Sequence, residues 1–351
     1  MRNRIRRCLL LFALFLTLGG AAAAQVTSPE PSSGCSIPTR LTRERPDPDG
    51  EPVAVEVRIS LIDLLGVDDA AESFGVDLLL DLRWRDPRLS AAALGGSLED
   101  CSFGLAEVWH PRVGFLNQRR VGLQQMIDVD VDAEGSVRVV ERTSADFSSP
   151  LELRDFPFDS QELRIQLASY EYGPEDVLFV AEEGGSRPGG VFLAGWTFSG
   201  NRNVSGLPPL VSTAGKSTRL DHVITLERRA GYHVWRFVVP LIFIALMAAS
   251  VFWLDPEGWA PQLGIASASV FTLMAYLIGV REGLPRVAYL TRMDELVLCG
   301  TVLVFLALGE VIVTSRLAQR DRVQLARRID HHARWVYLSL FAIALLGTMV
   351  L

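Results

Sequence analysis

Between Trp259 and Val280 the chain runs for 22 residues without a charge. That length crosses the hydrocarbon layer of a bilayer as one helix. Its composition is not that of a helix facing lipid. Gln262, Ser267, Ser269, Thr272 and Tyr276 interrupt the apolar residues, and Gly264, Ala266, Ala268 and Ala275 are small. Polar and small side chains at bilayer depth face other helices or water. Two readings follow: a helix packed inside a bundle, or a helix lining a passage built from several copies of itself. The charged turn Arg281-Glu282-Gly283-Leu284-Pro285-Arg286 after the run points to the second.

Three further apolar runs accompany it. Phe237–Leu254 has no charge, Leu296–Ser315 has only Glu310, and Trp335–Leu351 is apolar to the last residue. Four transmembrane helices are expected, over about residues 232–254, 260–281, 293–316 and 333–351. Residues 1–24 read as a signal peptide. Arg2, Arg4, Arg6 and Arg7 precede an apolar Leu9–Leu18, and Ala22-Ala23-Ala24 offers a cleavage site. The domain that follows is then exported, and the segment between the third and fourth spans is cytoplasmic. That segment carries Arg316, Arg320, Arg322, Arg327, Arg328 and Arg334 against Asp321 and Asp330, as the positive-inside rule requires. The implied address is the bacterial inner membrane, with the N-terminal domain in the periplasm. Cys299, inside an apolar run, reads as a small core residue. Cys35 and Cys101 could pair in an oxidising compartment or stay apart.

Residues 25–50 are rich in proline, serine and charge and read as a flexible leader. From Val53 onward the text alternates. Val53, Val55, Val57, Ile59 and Leu61 share one strand face, and Val76, Leu78, Leu80, Leu82 and Trp84 another. Ile127–Asp132 and Val137–Val140 flank the turn Ala133–Ser136 as a hairpin, and Leu163–Leu167 and Leu220–Leu226 alternate again. About ten short strands without a long helix predict an immunoglobulin-like β-sandwich over residues 51–231, followed by a four-helix transmembrane bundle over 232–351. The loop Phe156-Pro157-Phe158-Asp159 either buries its apolar tip in the sandwich or docks it on the membrane domain.

These features together resemble the pentameric ligand-gated ion channels, the Cys-loop receptor family, and especially its bacterial members. The matching text is Trp84-Arg85-Asp86-Pro87-Arg88-Leu89, Trp109 and Pro111 with Asn117, Phe156-Pro157-Phe158-Asp159, Leu226-Glu227-Arg228 with Gly231-Tyr232 and Pro240, and Leu284-Pro285-Arg286-Val287 with Tyr289. The motifs occur in family order over about residues 51–351. The resemblance implies a homopentamer of this chain with four identical partners, a pore lined by the second helix, permeant inorganic ions, and an agonist bound between extracellular domains. It departs where the animal receptors have two bracketing cysteines, here Ser149 and Leu163, so no disulfide closes that loop.

Counting back from Leu284-Pro285, the family's pore face falls on Gly264, Ala268, Phe271, Ala275, Ile278 and Glu282, three or four residues apart. Rings of Phe271 and Ile278 would close the pore by dewetting. Amphipathicity alone would instead select Gln262, Ser269, Thr272 and Tyr276 as the wet face. Asp255 and Glu257 tip ion selectivity slightly to cations, while Pro261 with no acid directly before the helix resembles the anion-selective receptors. The coupling set implied between sandwich and pore is Asp68, Phe156, Pro157, Phe158, Asp159, Arg228 and Pro285, with Arg228 paired to Asp159 or Asp68.

For the agonist, the family's aromatic box maps to Tyr170 and to Leu116 beside Phe115, with Tyr172 adjacent and Asp77 on the complementary face. Gly206–Thr218, which should cap the site, has no aromatic residue. A quaternary amine wants several aromatic faces, so a proton or another small molecule remains. A non-conducting sensor would use the same sandwich, but the chain carries no cytoplasmic output domain. An enzyme is not indicated: there is no Ser/His/Asp set, no metal-spaced His/Cys cluster and no phosphate-binding glycine loop. No cofactor, metal or nucleic-acid partner is implied.

Overall fold

The computed structural model describes residues 35–350 except 48–49, 100, 183–192, 206–209, 213–214, 256, 282 and 286. The expected signal peptide and Glu282 therefore lie outside the described residues. The described residues from Ile37 onward form one compact unit. Cys35 and Cys101 are each disulfide-bonded.

The alternating text forms strands. A five-stranded sheet has the order β4-β5-β2-β1-β7, with β1 Val53–Asp68, β2 Ser73–Arg85, β4 Gln118–Val131, β5 Ser136–Ser148 and β7 Val177–Ala181. A four-stranded sheet has the order β3-β6-β11-β8, with β3 Val113–Phe115, β6 Ser160–Ser169, β8 Trp196–Val204 and β11 Arg219–Arg228. Among the described residues, β9 Leu210–Ser212 and β10 Gly215–Ser217 make a separate ribbon. Register follows from parity: Val55 pairs with Trp84 and Leu61 with Leu78, so both strands turn their apolar sets to one face. That face meets Leu163, Ile165, Leu167, Leu220, Ile224 and Leu226 of the second sheet in one core.

Four long helices follow. α1 spans Gly231–Trp253, α2 Trp259–Val280, α3 Arg292–Ala318 and α4 Val323–Val350. All four are long and apolar enough to cross a membrane. Pro240 has no N–H for the carbonyl four residues back, and just before it α1 widens into a π turn over Val234–Val238. Thr291 and Asp294 cap α3 reciprocally: Thr291 Oγ1 accepts from the Asp294 N–H, and Asp294 Oδ2 accepts from the Thr291 N–H at 3.0 Å. α1 and α3 approach closely at Gly300, where a Cβ would stand 3.0 Å from Leu241 Cδ1. α4 begins ten residues before the expected span start at 333, so the arginine-bearing stretch from Val323 to Arg334 is helix. Cys299 is exposed on the protomer and is not a core residue.

His222 on β11 is 1% exposed. Its Nδ1 bonds Asn203 Oδ1 at 2.6 Å, and among the described residues its Nε2 has no partner. Burial pulls its pKa down to about 4 from an ordinary 6.5. The folded state thus favours the neutral ring, and its contribution is full above pH 6.5 and lost as pH falls through about 4. The melting temperature of the purified protein should fall across that window, and His222→Gln should flatten part of the fall. An unchanged slope in the variant would refute this.

Candidate functional site at the sandwich–helix junction

The end of β11 delivers Arg228 to the place where the sandwich meets the helices. Its Nε and Nη2 donate to Asp159 at 2.8 and 3.1 Å, and Nη1 and Nη2 donate to Asp69 at 2.9 Å each. The guanidinium side chain is 6% exposed, and Asp159 2%. It lies 4.1 Å over the Trp196 ring and 4.9 Å over Phe156. Burial works against its charge, but hydrogen bonds to Asp69 and Asp159 prevail and hold its pKa above arginine's ordinary value. The expected partner Asp68 is not used. Its Oδ1 accepts from the Ala70 and Ala71 N–H groups and caps the β1–β2 turn, leaving Asp69 to face Arg228.

The loop before β6 touches the helices at several points. Phe156 is buried and meets the His233 ring edge-on at 4.8 Å. Pro157 and Phe158 border Met293 and Leu296 on α3 and Met349 on α4. Leu153 N–H donates to the Tyr289 hydroxyl at 2.9 Å, Arg292 N–H to the Arg154 carbonyl at 2.9 Å, and Arg292 pairs with Asp155 at 2.7 Å. Pro285 is half-buried in the α2–α3 connection. Asp69, Trp196, Tyr289 and Arg292 were not singled out from the sequence; of these, Tyr289 sat in a quoted motif. Ser149 Oγ donates to the Glu162 carbonyl at 3.3 Å and accepts from Arg164 N–H, so a hydroxyl stands where a bracketing cysteine would.

On α2, Gly264, Ala268, Phe271, Ala275 and Ile278 share one exposed face, Phe271 at 74% and Ile278 at 71%. Gln262 and Ser269 are buried in the protomer's own bundle. The Gln262 amide donates to the Leu254 carbonyl at 3.0 Å, and Tyr276 donates to the Phe237 carbonyl at 2.9 Å. Thr272 is exposed, with its hydroxyl donating to the Ala268 carbonyl. At the far end of the bundle Arg327 pairs with both Asp255 at 3.1 Å and Glu257 at 3.0 Å, which offsets the two acids.

The expected ligand residues do not converge. Tyr170 is 55% exposed beside a cleft of about 500 Å³ bordered by His110, Arg112, Val113 and Glu171. Its hydroxyl donates to the Phe115 carbonyl, and its ring leaves no room for a Cβ at Gly114. Phe115 itself is a core residue, edge-on to Phe147 at 5.3 Å. Tyr172 turns inward and accepts from Trp109 Nε1 at 3.0 Å. Leu116 is half-buried, and Asp77 is held by a bidentate Arg142. Arg112 and Glu171 pair at 3.4 Å across the cleft rim. Burial, with Arg112 nearby, pulls the pKa of His110 down to about 4, so at neutral pH it is an uncharged wall.

Removing one member of a buried ion cluster leaves the others uncompensated. Arg228→Gln should therefore destabilise the protein by about 3–5 kcal/mol, and adding Asp159→Asn should recover part of the loss. Denaturation of the purified protein measures both. A loss below about 1 kcal/mol would show an ordinary solvated pair.

Comparison with known proteins bears on this geometry. Residues 41–229 match the family model of the neurotransmitter-gated ion-channel ligand binding domain. The chain is 25% identical over 295 residues to a proton-gated ion channel of Gloeobacter violaceus, covering 84% of this chain and 82% of that one. It is 27% identical over 277 residues to the gamma-aminobutyric acid receptor subunit beta-4 of Gallus gallus, covering 76% of this chain and 56% of that subunit. With a two-sheet extracellular domain followed by four membrane helices, the chain belongs to the neurotransmitter-gated, or Cys-loop, receptor family of ligand-gated ion channels.

Proposed function

We propose that five copies of this chain surround a central pore lined by the α2 face of Gly264, Ala268, Phe271, Ala275 and Ile278, with Glu282 at its mouth. The observation that carries this is the exposed α2 face. Its two largest apolar side chains, Phe271 and Ile278, stand exposed on the protomer, whereas Gln262 and Ser269 of the same helix are buried, the Gln262 amide and the Ser269 hydroxyl donating to carbonyls there. Gly264, Ala268 and Ala275 on that face are small, as where a membrane helix meets neighbouring helices or water instead of lipid. Copies around an axis supply them, and rings of Phe271 and Ile278 then form constrictions that exclude water at rest.

Opening is driven from the sandwich. An agonist, either a proton or a small molecule, acts on the extracellular domain, and the change reaches α2 through the Phe156–Asp159 loop, Arg228, Tyr289 and the Pro285 connection. The direct bonds across this junction, from Leu153, Arg154 and Asp155 to Tyr289 and Arg292, support that route. The Tyr170 cleft offers one aromatic face and a charged pair, which suits a small polar ligand better than a quaternary amine. The channel sits in the bacterial inner membrane with the sandwich in the periplasm, as the arginines at the far end of the bundle support.

Purified protein in planar bilayers should conduct during pH jumps or a screen of small metabolites. Phe271→Ala should raise the current in the absence of agonist several-fold. In a Cys299→Ser background, Ala275→Cys should be blocked by a small water-soluble thiol reagent, and Leu273→Cys should not. Silence of well-folded pentamers under every condition, or a monomeric assembly, would overturn the proposal.

A further inference from the structure

A group of hydrogen-bond acceptors without donors stands at the end of the bundle away from the sandwich. α1 leaves the sandwich at Gly231 and α3 returns to it at Arg292, so Glu310, late in α3, and Asp330, early in α4, both belong to the far half. The two carboxyl groups lie against each other. Asp330 is 4% exposed, and among the described residues neither of its oxygens, nor Glu310 Oε1, meets a donor. Gln262 of α2 reaches Asp330 from the third side. It is 1% exposed, its amide nitrogen is committed to the Val251 and Leu254 carbonyls, and its Oε1 is also unpartnered.

The charged groups around the pair do not resolve this. Arg334 of α4 is near Asp330; its Nη2 donates to the Phe252 carbonyl at 2.8 Å, its plane lies 4.5 Å over Trp253, and among the described residues its Nε meets no acceptor. Asp255, from the α1–α2 loop, adds negative charge and is held by Arg327. A cavity of about 130 Å³ beside Glu310 is lined by Phe252, Leu303, Ala307, Tyr337 and Leu340. Two touching carboxylates in such surroundings do not both ionise. One proton removes the conflict: it supplies an O–H donor between the two groups and leaves a single negative charge for Arg334.

We propose that Glu310 and Asp330 share one proton, forming a proton-binding site that ties α3 to α4 beneath the base of α2. Proton uptake converts one carboxylate to a carboxyl group, with no other bond made or broken. Loss of that proton sets two like charges against each other and loosens α4 from α3 next to Gln262. The bundle thereby carries a proton-responsive contact remote from the Tyr170 cleft.

Infrared spectra of the full-length protein in lipid nanodiscs test this at neutral pH. The wild type should show the C=O stretch of a protonated carboxyl that shifts in D₂O, weakens as pH is raised, and is lost in Glu310→Gln, whose amide N–H supplies the missing donor. The stability this proton contributes should be lost progressively as pH rises from about 4, the ordinary carboxyl value of the unfolded chain, through the range where the band weakens, a loss of melting temperature that the variant should not show. If Glu310→Gln does not assemble, wild-type protein labelled with ¹³C at glutamate or at aspartate carboxyls assigns the band. Absence of the band in the wild type, its persistence in Glu310→Gln, or failure of both labels to move it would overturn the proposal. None of these readings requires ion conduction, so the result stands apart from that of the bilayer recordings.

Discussion

The buried guanidinium of Arg228 fixes the rest of the molecule. It binds one carboxylate from the β1–β2 turn and one from the loop before β6, and its own strand runs into α1 within three residues. Three separate segments of the sandwich are therefore bound to the first membrane helix by one planar, always charged group. A lysine could not serve both forks at once, because its ammonium is a point donor. The aromatic faces of Trp196 and Phe156 complete the enclosure and keep water from weakening the pair.

From that anchor the connections pass to the pore helix by short steps. The loop that holds Asp159 also supplies the backbone groups bound by Tyr289, in the α2–α3 connection, and by Arg292, the first residue of α3. A displacement of the loop relative to the second sheet thus meets bonded partners on the helices and not merely apolar contacts, which slide more easily. The exposed α2 face is the natural recipient. Gln262 and Tyr276, on the other side of the helix, are held by the Leu254 and Phe237 carbonyls of the same protomer.

Much of this was legible in the sequence, and the gaps have physical causes. Strand parity is strict, so Val53–Leu61 and Val76–Trp84 declared their inner faces at once. On α2 amphipathicity alone pointed to Gln262 and Ser269 as a wet face, yet both are buried, because the polar residues of a bundle helix seek partners inside the protein. Asp68 and Asp69 are adjacent in a turn, where no period says which carboxylate points to the helices and which caps the backbone. Phe115 follows the strand rule and goes to the core, although aromatic residues beside Tyr170 suggested a ligand box. α4 starts early because arginine and histidine are no obstacle to a helix emerging from the bilayer, while they mask it from hydropathy. Glu310 was visible as the single acid in its run; its meeting with Asp330 depended on a packing of α3 on α4 that spacing alone does not specify.

The hydroxyl of Ser149 changes how the coupling loop is closed. Animal relatives seal the same loop covalently, a step that needs an oxidant and an isomerase to correct mispairing. Here two hydrogen bonds to the Glu162 carbonyl and the Arg164 N–H do it. They form as fast as the strands meet and break without chemistry. The loop that joins sandwich to membrane is thus indifferent to the thiol balance of its compartment, and reducing agents should leave its closure untouched.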